Sequence, residues 1–416
     1  MEARIEGFLD RHCLNTDSIS MDDLCGRFLD AMKAGLAGRK SPLAMIPSHC
    51  SVCLPPSDGQ SVIVIDAGGT NLRTCLVTFP SGGTPVISRF SRTSMPGIDR
   101  EVSAAEFFEG LADAIEPLLD FSDRIGFCFS YAADILPDHD GIPRHFSKEI
   151  KAPEVIGRHL GKELLAELAR RGHNVSAKKV LILNDTVATL LAAVTAPGAA
   201  SYDGYIGFIL GTGTNTACIG PDGQIINVES GGMDICLGDI DRAFLDCTAD
   251  PDRYLFEKMI SGAYLGPLAY RVIEAAVKEG LFSGAFADGF AALDGLRTRE
   301  LNAFISEDPD CALAKIAQDD DDYDTLFEIL GAFVSRAAML TAANLASAVL
   351  ITEFGKDEDH PVLINADGTT FHSIGMLKSL VTEYLDAYLS EKGRRAVITQ
   401  VPDSPVLGSA IGALSI

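Results

Sequence analysis

Residues 62–79, VIVIDAGGTNLRTCLVTF, decide how the rest of the chain is read. Val62-Ile63-Val64-Ile65 is an unbroken β-branched run, Asp66 ends it with a carboxylate, and Ala67-Gly68-Gly69-Thr70-Asn71 supply turn chemistry. The pattern predicts strand, tight turn, strand. Two adjacent glycines let the backbone approach a ligand closely, and such a turn can aim its N–H groups, with the Thr70 and Asn71 side chains, at an anion. Phosphate is the natural guest. Arg73 adds positive charge just beyond the turn, and Asp66 is placed to hold a hydrated Mg²⁺ that bridges phosphate oxygens. A β-hairpin whose glycines only serve the turn fits the same residues, and this stretch alone does not separate the two.

Working outward, residues 4–36 show helical spacing of Ile5, Phe8, Leu9, Leu24, Phe28, Leu29 and Met32, and a connector over 47–59 leads into the opening strand. Downstream, Cys75-Leu76-Val77 and Val86-Ile87 extend the hairpin into a meander. A helix over 103–119 is capped by Ser103 with Glu106 three residues on. A strand over 125–130, an irregular segment to 151, a helix over 154–171 and a buried strand at Val180-Leu181-Ile182-Leu183 complete one α/β lobe, ending at Asn184-Asp185. A second lobe repeats the opening plan: Tyr205-Ile206-Gly207-Phe208-Ile209-Leu210 runs into Gly211-Thr212-Gly213-Thr214-Asn215 and another strand over 216–219. Helices follow over 254–279 and 326–350, the acidic run 319–322 reading as a solvated loop before the latter. Val362-Leu363-Ile364-Asn365 is a strand entering Asp367-Gly368-Thr369, and Gly408-Ser409 opens a final small-residue segment. The expected division is a large domain of residues 1–59 and 200–416 and a small domain of 60–199. Two lobes that each offer a phosphate-holding hairpin imply a nucleotide clamped in the cleft between them. Neither a Walker A sequence nor a Rossmann fingerprint occurs.

Composition narrows the partners. With 34 basic against 58 acidic residues the formal charge is -24, which repels nucleic acid and anionic lipid, so a nucleotide must be held by local donors and metal. Ten cysteines without framework spacing suggest free thiols in a reducing compartment. His49, Cys50 and Cys53 form the one metal-like cluster, and without a second pair of ligands ordinary thiols are the expectation. The first residues mix both charge signs without an apolar core of signal length, so a cytoplasmic protein is expected. The apolar segment 337–351 is interrupted by Thr341, Asn344 and Ser347 and reads as a buried core helix. No repeat of the whole motif set occurs, which implies a single catalytic unit.

Several segments then fall in order: Met45-Ile46-Pro47-Ser48, the hairpin Asp66-Ala67-Gly68-Gly69-Thr70-Asn71-Leu72-Arg73, Phe129-Ser130-Tyr131, Phe146-Ser147-Lys148, Asn184-Asp185-Thr186, Gly211-Thr212-Gly213-Thr214-Asn215, Ile226-Asn227-Val228-Glu229, Phe256-Glu257-Lys258-Met259-Ile260-Ser261-Gly262, Ala366-Asp367-Gly368-Thr369 and Gly408-Ser409. In this register the chain resembles the hexokinase family of the actin-like ATPase superfamily. The resemblance implies an α/β, two-lobed actin-like ATPase (ribonuclease H-like) fold with a ligand cleft between a small and a large domain. It implies transfer of the γ-phosphate of ATP, as Mg²⁺-ATP, to the 6-hydroxyl of glucose or a related hexose, the first step of glycolysis. Asp185 would be the base and Lys148 would stabilise the transferring phosphoryl group. Ser130, Ser147, Lys148, Asn184, Asp185, Asn215, Glu229 and Glu257 would bind the sugar. Asp66, Gly68, Gly69, Thr70, Asn71, Arg73, Gly211, Thr212 and Gly213 would hold the phosphates, Asp66 through a hydrated Mg²⁺, and Asp367, Gly368, Thr369, Gly408 and Ser409 the adenosine. The implied partners are hexose and ATP, with no nucleic acid and no membrane, in a monomer or homodimer.

Each residue has a plainer reading from the sequence alone. Asn184-Asp185-Thr186 can simply cap the helix that follows, Lys148 can be a solvated charge, and Glu229 and Glu257 can be surface residues. Departures from the family pattern cluster beside the sugar: Phe146 and Ser230 stand where indoles are usual, Glu149 replaces a glycine and Ala132 a proline, and tryptophan is absent altogether. They bear on which hexose is taken, and a mannokinase or fructokinase, or a non-catalytic sugar sensor, are the alternatives. The chain also ends at Ile416, where the family continues into a longer helix returning to the small lobe, so looser coupling of the lobes is expected.

Overall fold

The β-branched run Val62-Ile63-Val64-Ile65 is wholly buried, as a strand covered on both faces must be. The structure, a computed structural model, describes residues 2–52, 59–81, 84–146 and 150–416. Its strands are β1 (Ile46–Ser51), β2 (Ser61–Ala67), β3 (Asn71–Thr78), β4 (Val86–Ser94), β5 (Arg124–Phe129), β6 (Ala133–Ile135), β7 (Gly141–Pro143) and β8 (Lys179–Leu183), followed by β9 (Gly204–Leu210), β10 (Thr214–Ile219), β11 (Gln224–Asn227), β12 (Val362–Asp367) and β13 (Ala396–Thr399). One sheet has the order β4-β3-β2-β5-β8 and the other β1-β11-β10-β9-β12-β13, with β6 and β7 forming a separate hairpin. The sheets share a plan. In each, an antiparallel meander (β2-β3-β4, β9-β10-β11) is joined by parallel strands on the side of its first strand (β5 and β8, β12 and β13).

This plan places the site. The carboxyl ends of β2, β5 and β8 lie along one edge, at Ala67, Phe129 and Leu183, so the Gly-rich turn, Ser130 and Asn184-Asp185 meet there without further design. In the second sheet β9 and β12 end side by side, Ile209 opposite Asp367, which brings the second Gly/Thr turn against Asp367-Gly368.

Between the sheets run two helices, Asp185–Ala192 and Ser404–Leu414. Their apolar residues share one core with Val62 and Val64 of β2, Leu181 and Leu183 of β8, Tyr205 of β9, Ala217 of β10 and Leu363 of β12. The outer face of the first sheet is covered by Ala104–Ile115 and Leu160–Arg170. The second sheet's outer face packs on a larger helical layer that includes Met21–Leu36, Asp320–Thr352 and Leu377–Glu391. Asp320–Thr352 is long and apolar enough to cross a membrane by length and composition, yet it lies buried within this core.

Several expectations shift. The lead-in over 4–36 is two helices, Glu2–Arg11 and Met21–Leu36. The helix expected over 154–171 begins only at Leu160, because Pro153 starts a short 3-10 turn and Gly157 takes a left-handed φ of 82°. The helix expected over 254–279 is interrupted between Leu255–Ile260 and Leu265–Lys278. The break is functional in placement: the Gly262 and Ala263 N–H groups donate to the Gly211 and Thr212 carbonyls of the second turn. The acidic run is no loop. Asp319 caps Asp320–Thr352, and Asp322 is buried, accepting from the Ser283 N–H (2.8 Å) and hydroxyl (2.5 Å). The small-residue segment at Gly408-Ser409 lies within the helix Ser404–Leu414. It packs on β2, β5 and β8 of the first sheet, so closely that a Cβ at Gly408 would fall 1.7 Å from the Ala188 carbonyl oxygen and one at Gly126 2.2 Å from that of Ser409.

Candidate active site

Between the two sheets' carboxyl edges opens a cavity of about 710 Å³. Its wall carries Asp66, Gly68, Gly69, Thr70, Asn71, Arg73, Ser130, Asn184 and Asp185 from the first sheet, and Gly211, Thr212, Gly213, Asn215, Glu229 and Glu257 from the second. Sharing Tyr131, His145, Asn184, Glu229 and Tyr254 with it is a cavity of about 690 Å³ that continues the cleft toward Ile46-Pro47-Ser48. Ser147 and Lys148 lie outside the described residues, as does Cys53 of the His49-Cys50-Cys53 cluster. Among the described residues no His/Cys/Asp/Glu group is arranged to ligate a metal on its own.

The two turns leave open space at their first glycines. Neither Gly68 nor Gly211 has a positive φ, and a Cβ at either would meet nothing nearer than 3.8 Å. The fold itself does not require glycine there, and the space a side chain would fill is open to the cavity. Gly368 is different: its φ of 107° and a Cβ that would sit 2.3 Å from the Leu210 carbonyl make glycine obligatory beside the second turn. Thr370 fixes that junction by donating its hydroxyl to the Gly211 carbonyl at 2.8 Å. At the first turn Asn71 donates to the Thr70 hydroxyl (2.8 Å) while its amide oxygen accepts from Arg92 (2.9 Å). Asp367, Gly368 and Thr369 do not line the larger cavity. Gly408 and Ser409 do not either: both are buried where Ser404–Leu414 meets Asp185–Ala192 and β5, so their small size serves helix packing.

Asn184 and Asp185 divide the two readings of their segment. Asn184 is the cap, its side chain accepting from the Thr186 N–H at 2.8 Å, and Asp185 begins the helix with its carboxylate turned to the cavity. Burial pushes the Asp185 carboxyl up from its ordinary value, against the lowering effect of the Thr186 N–H and the Ser130 and Thr186 hydroxyls, and the Asp367 charge pushes the same way as burial. Three more acids are displaced upward, each chiefly by burial: Asp66, where Arg73 at 3.3 Å opposes the rise, Glu229 and Glu257. Asp185 adds to the repulsion on Asp66 and Glu229, and Glu229 to that on Glu257.

The second sheet's contribution is held by a polar network. The Asn215 amide oxygen accepts from the N–H groups of Thr216 (2.7 Å) and Ser230 (3.3 Å), so its NH₂ faces Asn227 (2.7 Å) and Glu229 (3.5 Å). Asn227 donates to the same Glu229 oxygen at 2.8 Å, and Glu257 accepts from the Thr214 N–H at 2.9 Å. Ser230, in place of an indole, is fully buried and bonds Thr216. Phe146, in place of the other, joins a ring cluster with Phe107, Phe129 and Tyr131.

Sequence reasoning missed the walls made by Tyr131, Arg144, His145, Asp252, Arg253 and Tyr254. It also gave no role to Lys258. That lysine is 2% exposed and bonds Thr248 (2.9 Å) and the Asp250 carbonyl (2.5 Å), pinning the loop that delivers Asp252, Arg253 and Tyr254. A polar residue adjacent to a ligand residue inside a matched segment was the available signal. Glu229 and Tyr254, with φ of 57° and 56°, hold left-handed backbone at the cleft, which only the structure reveals.

Known proteins share this chain's sequence pattern and fold. The chain is 29% identical to mouse Hexokinase-3 over 82% of its own length, and it spans only 40% of that longer protein. It is 28% identical to the hexokinase of Plasmodium falciparum, with 99% of this chain and 91% of that protein covered. A structure of the Schistosoma mansoni hexokinase complexed with glucose matches it with a TM-score of 0.76 at 25% identity, covering 100% of this chain and 99% of that one. These neighbours have the two-lobed actin-like ATPase fold that the sequence led one to expect. Family models described as hexokinase match residues 6–195 and 205–415, one sheet falling largely in each, so the chain belongs to the hexokinase family.

Proposed function

We propose that this protein is an ATP-dependent hexokinase that transfers the γ-phosphoryl group of Mg²⁺-ATP to the 6-hydroxyl of glucose or a related hexose. The observation that carries the reading is one cavity bringing two Gly/Thr turns together with the half-buried Asp185 and a set of amides and carboxylates from both sheets. A hexose is a ring of hydroxyls, which needs groups that accept and donate hydrogen bonds. Asn184, Asn215, Glu229 and Glu257 supply them from opposite walls, so one small ligand bridges the lobes and draws them together.

Asp185 is the base. Its carboxyl is pushed up by burial, and it takes the proton of the attacking hydroxyl as the new O–P bond forms and the bond from the γ-phosphorus to ADP breaks. Ser130 and Thr186 hold its carboxylate in place. The turns at 68–71 and 211–213 present backbone N–H and hydroxyl donors to the phosphates, and Arg73 adds charge. Asp66, buried at 5% exposure on the cavity wall, is a fitting outer partner for hydrated Mg²⁺, which would neutralise phosphate charge when bound. Lys148 would act on the transferring group from the loop beside Phe146. Asp367, Gly368 and Thr369 adjoin the second turn and suit the adenosine. The acidic chain repels nucleic acid, and nine cysteines without a disulfide among the described residues suit a reducing cytoplasm.

A coupled assay of ADP release across glucose, mannose, fructose and N-acetylglucosamine tests the reading. Turnover with at least one hexose, lost in Asp185→Ala, supports it. ADP release that no hexose stimulates would overturn it in favour of a non-catalytic sugar sensor.

A further inference from the structure

We infer that Tyr131 is a positioning residue for the nucleotide turn, its hydroxyl tying the sugar-side loop to the peptides that face the phosphates. The inference rests on the proposal that residues 68–71 hold ATP phosphates. Ser130 and Tyr131 together engage three consecutive carbonyls of that turn: the Ser130 N–H donates to Ala67 (3.2 Å), and the Tyr131 hydroxyl lies 2.9 Å from both the Gly68 and the Gly69 oxygens. In a trans peptide the carbonyl and the N–H point in opposite directions. The peptide whose oxygen is Gly68 O carries the Gly69 N–H, and the next, with Gly69 O, carries the Thr70 N–H. Holding both oxygens from the sugar side therefore turns both N–H groups the other way, toward the donor half of the cavity. Among the described residues neither N–H has a backbone or side-chain acceptor.

The hydroxyl is itself held. Tyr131 is 8% exposed, and its ring packs against Phe129 and Phe146 at centroid distances of 5.1 and 5.3 Å. The ring cluster thus braces the hydroxyl that meets the turn proposed to hold ATP. With two glycines in succession the turn has little stiffness of its own, and an outside tether is what a preorganised anion site needs.

Tyr131→Phe keeps the ring and removes the hydroxyl that makes the tether. Losing about one neutral hydrogen bond should raise the KM for ATP about fivefold, with the KM for hexose within about twofold of wild type and the melting temperature unchanged. Calorimetric titration with Mg²⁺-ADP at saturating glucose should show the same loss in affinity. Unchanged ADP affinity, or hexose and nucleotide constants rising together, would overturn the inference. Gly68→Val separates the two levels: if it leaves nucleotide binding intact, the reading of the turn fails, whereas if it weakens binding and Tyr131→Phe does not, only the tether fails.

Discussion

Two aspartates, Asp185 and Asp241, sit in the first turn of short helices and are removed from bulk water, yet they are treated in opposite ways. Asp241 is 1% exposed and fully partnered: both its oxygens lie 2.8 Å from the Arg336 guanidinium, and the Gly238 N–H adds a third bond at 2.8 Å. Arg336 also reaches the Cys13 carbonyl, so the pair joins the N-terminal segment to the long core helix. Among the described residues Asp185 has no cation partner. It is held by hydroxyls, with Asp66 of the same sheet beside it and Glu229 and Asp367 contributed by the second sheet's side. The difference teaches what each carboxylate is for. A buried charge with a bidentate partner fixes geometry, whereas one left beside other acids keeps an affinity for protons that chemistry can use.

Breaking the paired side should have the largest effect. Arg336→Met leaves a buried, uncompensated carboxylate and should cost about 3–5 kcal/mol of stability in urea unfolding, while Arg336→Met with Asp241→Leu recovers much of it. A single variant as stable as wild type would show that the pair does not anchor the core. On the unpaired side, Asp185→Ala should lower kcat by roughly 10², about 2.7 kcal/mol, with sugar binding retained. Near-normal turnover by folded Asp185→Ala would remove it as the base.

Gly211→Val sharpens the contrast between glycines that serve the fold and those that serve a ligand. The protein leaves room for its Cβ, so folding should survive while the KM for ATP rises about tenfold or more. Gly213→Val is a poorer probe, since its Cβ would meet Glu257 Oε2 at 2.6 Å and disturb the sugar side as well. The smallest effect concerns stability at the cleft. Burial raises the folded-state pKa of Asp185, so folding favours its protonated form, and the ionised form is a cost present above that pKa and gone below the ordinary carboxylate range. Asp185→Asn should therefore stabilise the protein by about 0.5–1 kcal/mol at neutral pH, an advantage that fades as the pH falls and is gone below about pH 4. For the same reason kcat/KM should fall on the acid side at a higher pH than an unperturbed aspartate would give. A destabilised Asp185→Asn at pH 7 would contradict the account of an unpaired, strained acid.

The elements legible in advance were those with local signals. The hairpin of 62–79, the Ser103–Glu106 capping box and the repeat of the plan at 205–219 each depend on neighbours within a few residues, and each is found. Misplaced elements depended on distant partners. Gly262 is only a weak local hint of the helix break at 261–264, because the break is held by Gly211 and Thr212 fifty residues away. Asp322 reads as solvated until Ser283 is brought to it. Gly408 reads as a ligand glycine, whereas the close approach of another helix claims it.

By itself the sequence determined that strands of this chain end in glycine-rich turns with acids beside them, because hydrophobic period and turn chemistry are written in adjacent residues. Only the tertiary structure decided which acids are given a cation partner among the described residues. Asp185 and Asp241 look alike along the chain, and their fates separate through an arginine ninety-five positions from one of them and a ring of carboxylates around the other. Charge paired across such distances is a property of packing, which places the partner or withholds it.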